Sequence, residues 1–452
     1  MKEISVRKKK KIYRTFSFVS TGLTSEKEEN SLVFSEGKNC DFSKGKLSTG
    51  LGVKGLKNKN GEAVLAEFDG ESLASVCLFF ENGEWQTGAC AAILMKNGRL
   101  LFYDAEEEDF VQRKYGVAND SLLLPVYKKR TPAAVAILGK DGVSVVYPDG
   151  QEGIIYTSPV SPIGAFFHGR IFFVERFSLC YGAPFEFDDY EQTADDAGKI
   201  ELGAEGGEIL AIVRLGEKLF VVRQHALAEI SASGAAREFV VKTIPFGASE
   251  IQRGSVCAVG EAIVFLAVDG VYRFLNGNFE RLVSGRIAER DELKGLVASY
   301  SGNTYRLGYT TLGGEEKVLA VNVEDGSYYP SFVIHGVSSG GMAVGVKDLR
   351  LVLSADRGGM PLNEECFVRA TNVDFGERGE KVVRRIDCVG QGEIELTVRG
   401  ERGEKSAVLA LHEKNAMKFA LKGREFCIEI RCKEGASVES LEVEYDLIGG
   451  GK

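Results

Sequence analysis

At 452 residues the chain is longer than one hydrophobic core usually supports, and its 44% apolar and 27% charged residues exclude general disorder. A net charge of −9, from 56 basic and 65 acidic residues, excludes a surface built throughout to grip phosphate backbones. No apolar run approaches the roughly 18 residues that cross a bilayer, and the basic start leads into polar residues rather than a signal-peptide core. The expectation is a protein with no signal peptide and no membrane partner, made in the cytoplasm.

Residues 1–60 read as an N-terminal arm with the first strands. Its basic cluster, Arg7 to Lys11 followed by Arg14, is short and isolated, and reads as a solvated tail rather than a nucleic-acid site. Residues 61–360 are dominated by strand signals. Short runs of Val, Ile, Phe and Tyr are broken by pairs that turn hairpins: Asn97-Gly98, Asp141-Gly142, Asp149-Gly150, Asp269-Gly270, Asn276-Gly277 and Asp325-Gly326.

One kind of run keeps returning: turn residues, then four or five apolar residues. It occurs at Leu100 to Tyr103, Val143 to Val146, Ile171 to Val174, Leu219 to Val222, Ile263 to Leu266, Tyr305 to Tyr309 and Leu349 to Leu353. Leu100 to Val143 is 43 residues, Ile171 to Leu219 is 48, and the steps Leu219 to Ile263, Ile263 to Leu307 and Leu307 to Leu351 are 44 each; Val143 to Ile171 is only 28. A repeat of about 44 residues is what a four-stranded propeller blade takes, at ten or eleven residues per strand and turn. Seven anchors predict an all-β β-propeller of about seven blades, six being the alternative. Only Ala288 to Ser299 looks helical, with Leu293, Leu296 and Val297 on one face and Glu289 to Glu292 outside.

From residue 361 the texture changes to strict alternation, as in Lys381 to Ile386, Glu393 to Val398, Phe426 to Ile430 and Leu441 to Tyr445. Alternate apolar positions make half-buried antiparallel strands, so residues 361–452 are predicted to form a small C-terminal β-sandwich ending in a frayed Gly449 to Lys452.

Groups that could carry chemistry are sparse. His168, His225, His335 and His412 are far apart and in no metal-ligand spacing. Nine cysteines, with no CxxC pair, lie mostly in apolar runs and read as buried reduced thiols. Lys44-Gly45-Lys46-Leu47 lacks the hydroxyl residue and the upstream glycine of a phosphate-binding loop. Carboxylates cluster at Glu106 to Asp109, Asp188-Asp189 and Asp195-Asp196; acid pairs serve glycoside hydrolysis or calcium binding, but in loops they are more often solvated. Ser354 to Gly358 matches the first part of the Asp-box of sialidase-like propellers, with Pro361 where its tryptophan belongs. Such a turn is structural, its Asp capping backbone N–H groups. With Trp85 the sole tryptophan, a stacking surface for sugars is poorly supplied. No catalytic, cofactor-binding or metal-binding residues are assigned, and no enzyme is expected.

Several stretches resemble a family. Gly37 through Asn39, Phe42 and Gly45 to Leu47, Gly50 and Gly52 is similar to a segment of propeller-type tail and connector (nozzle-like) structural proteins of tailed bacteriophages, with Thr49 replacing the usual basic residue. Gly169 to Val174 and Leu179 to Phe187 resemble their strand, turn and following aromatic, with Tyr181 where Ser is common. The order continues through Gly207 to Val213, Lys218 to Val222, Ala226 to Ile230, and Asp269 to Phe274 with Gly277 to Arg281. Thr371 to Gly376, Arg384 to Ile386 and Gly392 to Ile394 resemble the sandwich that follows.

The resemblance implies a non-enzymatic structural protein of a phage or prophage virion. It would be a tail or head-to-tail component forming a homo-oligomeric ring around a DNA passage, with other phage structural subunits as partners. It implies no sequence-specific nucleic-acid binding, no membrane contact and no catalytic residues. The alternatives are a monomeric propeller that binds a protein or glycan on its central face and, behind it, a propeller glycosidase using Asp188 or Asp189.

Overall fold

The computed structural model describes residues 91–187, 196–284, 294–330 and 366–448 with short gaps, together with the turn at 58–62 and strand segments between 11 and 86 and between 336 and 355. The chain opens with β1 (Lys11–Ser17), β2 (Glu36–Lys38), β3 (Cys40–Asp41), β4 (Leu47–Thr49) and β5 (Gly52–Gly55).

Four-stranded antiparallel sheets follow. The first holds β6 (Leu73–Cys77), β9 (Ala92–Met95), β10 (Leu100–Asp104) and β11 (Asp109–Lys114), with a separate hairpin, β7 (Phe79–Glu81) and β8 (Glu84–Gln86), inserted after β6. The second is β12 (Leu122–Lys128), β13 (Thr131–Gly139), β14 (Gly142–Val146) and β15 (Glu152–Tyr156). The third is β16 (Ser161–Phe167), β17 (Arg170–Glu175), β18 (Ser178–Tyr181) and β19 (Gly198–Glu201). The fourth is β20 (Ile209–Leu215), β21 (Lys218–Arg223), β22 (Ala226–Ser231) and β23 (Val240–Pro245). The fifth is β24 (Cys257–Val259), β25 (Ala262–Ala267), β26 (Gly270–Leu275) and β27 (Asn278–Ser284). The sixth is β28 (Lys294–Ser301), β29 (Thr304–Thr310), β30 (Glu316–Asn322) and β31 (Tyr328–Pro330). The seventh joins β32 (Gly336–Val337), β33 (Ala343–Lys347) and β34 (Arg350–Ala355) to β5, so its outer strand comes from the beginning of the chain.

The first strands of successive sheets pack in series, β6 on β12, then β16, β20, β24, β28 and β32, and β32 returns to β6. That closed circuit is a β-propeller, and the described residues build seven blades. A blade cannot bury both faces alone, so its second strand, covered by blades on both sides, becomes the most apolar. In β25, all of Ala262–Ala267 is buried, and in β17 and β21 only one terminal residue each is not.

The short step of 28 residues now has a cause. Leu100 and Val143 lie on the third strands β10 and β14, whereas Ile171, Leu219, Ile263 and Leu307 lie on the second strands β17, β21, β25 and β29. Each anchor falls in its own blade, but the anchors change from third to second strands between the second and third blades and back to a third strand, β34, at Leu351. The helix expected at Ala288 to Ser299 is overturned from residue 294 onward: Lys294–Ser301 is strand β28, paired with β29 through Ala298↔Leu307 and Tyr300↔Tyr305. A shift in register after Lys294 and a positive φ at Gly295 break the alternation and let it imitate a helical period.

The last strands are β35 (Cys366–Val373), β36 (Glu380–Gly400), β37 (Gly403–Gly423), β38 (Phe426–Cys432) and β39 (Ser437–Ile448). The N-terminal strands, expected as an arm ahead of the propeller, instead join them: β1 and β4 pair with β39, β3 with β4, and β2 with β35. The chain divides into two compact units, Met1–Gly52 with Leu319–Phe332 and Met360–Lys452 in one, Val53–Val318 with Val333–Gly359 in the other. Of the basic cluster, Lys11 and Arg14 lie on β1, where Arg14 is 3.7 Å from Glu377; Arg7 to Lys10 fall outside the described residues.

The sandwich depends on one long strand changing partners. β36 pairs with β37 along its length on one edge, and on the other with β39 over Glu380 to Gln391 and with β38 over Ile394 to Gly400. Gly390-Gln391-Gly392 sits at the change. A Cβ on Gly390 would lie 2.0 Å from the Ser437 carbonyl oxygen, and one on Gly392 2.7 Å from the Ala436 Cα, so only glycine allows the change. Ile386, Cys388, Ile394, Leu396, Ile428, Ile430, Leu441 and Val443 fill the core.

Candidate functional site: blade turns and the axial channel

The acids singled out at Glu106 to Asp109 occupy the turn between β10 and β11, where they serve the turn itself. Asp104 accepts the N–H of Glu106 at 2.9 Å and of Glu107 at 3.3 Å, and Arg113 lies 3.0 Å away. These donors hold its carboxyl below the ordinary value. Glu107 pairs with Lys59 at 2.7 Å, Asp109 accepts from the Asn58 amide at 3.3 Å, and Glu108 takes a positive φ of 52°. Asp188, Asp189, Asp195 and the Asp-box residues from Asp356 to Pro361 lie outside the described residues.

His168 occupies the β16–β17 turn at φ 46°, its Nε2 3.3 Å from Glu217. His225 is exposed in the β21–β22 turn, and His412 is exposed on β37. His335 lies outside the described residues. Among the described residues no three His, Cys, Asp or Glu side chains converge on a metal-sized site. The described cysteines are buried except for the half-buried Cys427. Burial pushes the Cys180 thiol up to about 11 and the Cys257 and Cys388 thiols up to about 12, so they remain protonated near neutrality.

Two of the three arginines buried among the described residues hold blade turns, a role with no signal in the sequence. Arg223, last residue of β21, donates to the carbonyls of Leu202 at 2.9 Å, Gly203 at 2.6 Å and Gly207 at 3.0 Å, gathering the loop that leads from the third blade into the fourth. Arg170, first residue of β17, donates to the carbonyls of Gly182 at 2.9 Å and of Asp196, and lies over the Tyr181 and Phe239 rings. An arginine at a strand end reads in sequence as a solvated charge; only the convergence of turn carbonyls around it makes it structural. Asp269, in the β25–β26 turn, is tied similarly, accepting from Ser249 at 2.5 Å, Tyr272 at 2.6 Å and Arg281 at 3.2 Å. Burial alone would raise its carboxyl, but these donors outweigh burial and leave it below the ordinary value.

One cavity runs along the propeller axis. It has a volume of about 540 Å³ and is walled by the innermost strands of five consecutive blades, β12, β16, β20, β24 and β28. Apolar side chains such as Leu124, Ala165 and Ile212 dominate the wall, with the Tyr127 and Tyr300 rings and one charged group, Arg214. A four-stranded blade returns the chain to its starting end, so all innermost strands run the same way. Tyr127, Phe166, Arg214 and Tyr300, each next to the last residue of its strand, therefore gather at one mouth.

No protein-family model matches the sequence, and no curated protein does. Among solved structures, the WD40 domain of Neurospora crassa Pan2 is similar at 10% identity, covering 70% of this chain and 99% of that one with a TM-score of 0.43. The N-terminal domain of Nup159 is similar at 9% identity, covering 72% and 79% with a TM-score of 0.33. Likenesses this distant carry no argument about this chain, whose propeller architecture rests on its own strand pairing.

Proposed function

We propose that this chain is a non-enzymatic structural and assembly protein, a tail or head-to-tail component of a phage or prophage that forms a ring around a DNA passage. The observation that carries the non-enzymatic part is the use made of its polar side chains. Asp104, Asp269, Arg170 and Arg223 are each spent on fixing a blade turn, which favours rigidity over turnover. The phage part rests on the sequence resemblance. A net charge of −9 suits a subunit that must let DNA slide past without holding it. Analytical ultracentrifugation and negative-stain imaging with the particle partners test it: closed rings are expected, and a chain that stays monomeric with every partner present contradicts it.

A second reading, a monomeric propeller that binds its partner on the central face, is favoured by the axial cavity.

A further inference from the structure

The axial channel has the composition of a binding site rather than of a packed core. Its volume of about 540 Å³ falls within the roughly 300–1,000 Å³ of small-ligand pockets, which combine apolar walls with a few placed polar groups. Among the described lining residues the charge is single and positioned. Arg214 stands at the mouth formed by the ends of the innermost strands, its guanidinium 5.5 Å from the Phe167 ring centroid and its Nε 3.4 Å from the Gly216 carbonyl. Among the described residues no carboxylate pairs with it, in contrast to Arg113, Arg253, Arg273 and Arg281 elsewhere on the blades. Lining the same cavity, the Tyr127 and Phe166 rings lie 5.8 Å apart, and Ile212 adds to the apolar wall.

We propose that the channel binds a small amphiphilic anion, a molecule with an apolar body and one carboxylate, whose head is held by Arg214 and whose body lies along the walls of β12, β16 and β20. An uncompensated guanidinium at the edge of an apolar cavity offers a carboxylate two parallel donors, and the wall behind it excludes water from the body. A neutral molecule of the same body would gain the wall but not the head group. The site requires one chain only and does not depend on ring assembly.

Titration calorimetry of the intact chain with decanoate below its micellar concentration, with decanol as the neutral counterpart, tests the proposal. The expected result is one saturable decanoate site per chain, weakened at least about tenfold in Arg214→Gln, with decanol bound equally by both proteins. Ala211→Phe and Ala258→Phe, two independent substitutions that narrow the channel, should each abolish binding of both ligands. Unchanged thermal melting of Arg214→Gln identifies its loss as local. Absence of saturable binding, equal decanoate binding by the parent and Arg214→Gln, or full binding by both phenylalanine variants overturns it.

Discussion

Replacing Arg223 with Met keeps a similar length and apolar stem but removes every donor. Arg223 makes four contacts to three carbonyl oxygens, the closest 2.6 Å from Gly203 and the longest 3.3 Å from Gly207. Hydrogen bonds to a charged donor contribute about 1.5–3 kcal/mol each when measured singly. They share one guanidinium, and Met no longer needs that charge desolvated, so the contributions do not add; the net loss should be about 2–4 kcal/mol. The control is Arg253→Met, which removes an ion pair to Glu208 at 3.0 Å whose side chains are 55% and 61% exposed. Such a pair contributes at most about 1 kcal/mol. Urea denaturation followed by circular dichroism measures both losses. Hydrogen exchange localises the first, with faster exchange expected at Gly207, Gln224 and His225, whose N–H groups bond within this loop and its neighbouring turn. If the two variants lose the same stability, or exchange around the loop is unchanged, the guanidinium does not hold the turn and the reasoning fails.

Asp269 provides a pH test. Its folded carboxyl lies below its ordinary value, so its contribution is complete above the ordinary carboxylate range and is lost as pH falls through the folded value. The stability difference between the parent and Asp269→Asn should accordingly be greatest near neutrality and shrink below about pH 4, measured by urea denaturation at successive pH values. Gly142→Ala and Gly277→Ala compare a clash with conformation alone. Both glycines have positive φ, 95° and 84°, but a Cβ at 142 would lie 1.8 Å from the Tyr156 carbonyl oxygen while one at 277 meets open space. Denaturation midpoints should give a loss of about 1 kcal/mol for Gly277→Ala and at least about 3 kcal/mol for Gly142→Ala. Iodoacetamide at pH 8, followed by peptide mass spectrometry, should leave Cys180, Cys257 and Cys388 unmodified in the folded chain and modify them in urea, since burial holds these thiols protonated.

The propeller was legible in sequence because its second strands are covered on both faces and therefore read as uninterrupted apolar runs, as in Ile263 to Leu266. The same double burial blurred the assignment of strands within a blade, since the third strands β10 and β14 are nearly as apolar. The sandwich was legible from alternation in β38 and β39, but not its N-terminal contribution. Ile12 on β1 and Leu47 on β4 join that core from more than 300 residues away in sequence, and no local period reports such pairing. The change of partner along β36 left only a Gly-Gln-Gly inside an alternating run, which reads as a turn. The channel left no linear signal. Tyr127, Phe166, Arg214 and Tyr300 come from four blades and meet only because the innermost strands run the same way around one axis.

Quantitative mass spectrometry of gradient-purified tailed particles, from cells that make this chain, tests the assembly role most directly. With isotope-labelled peptides of the chain as standards, the account predicts a fixed copy number per particle equal to one ring or a whole multiple of it. Particles that are complete and infectious yet contain none of the chain would contradict it.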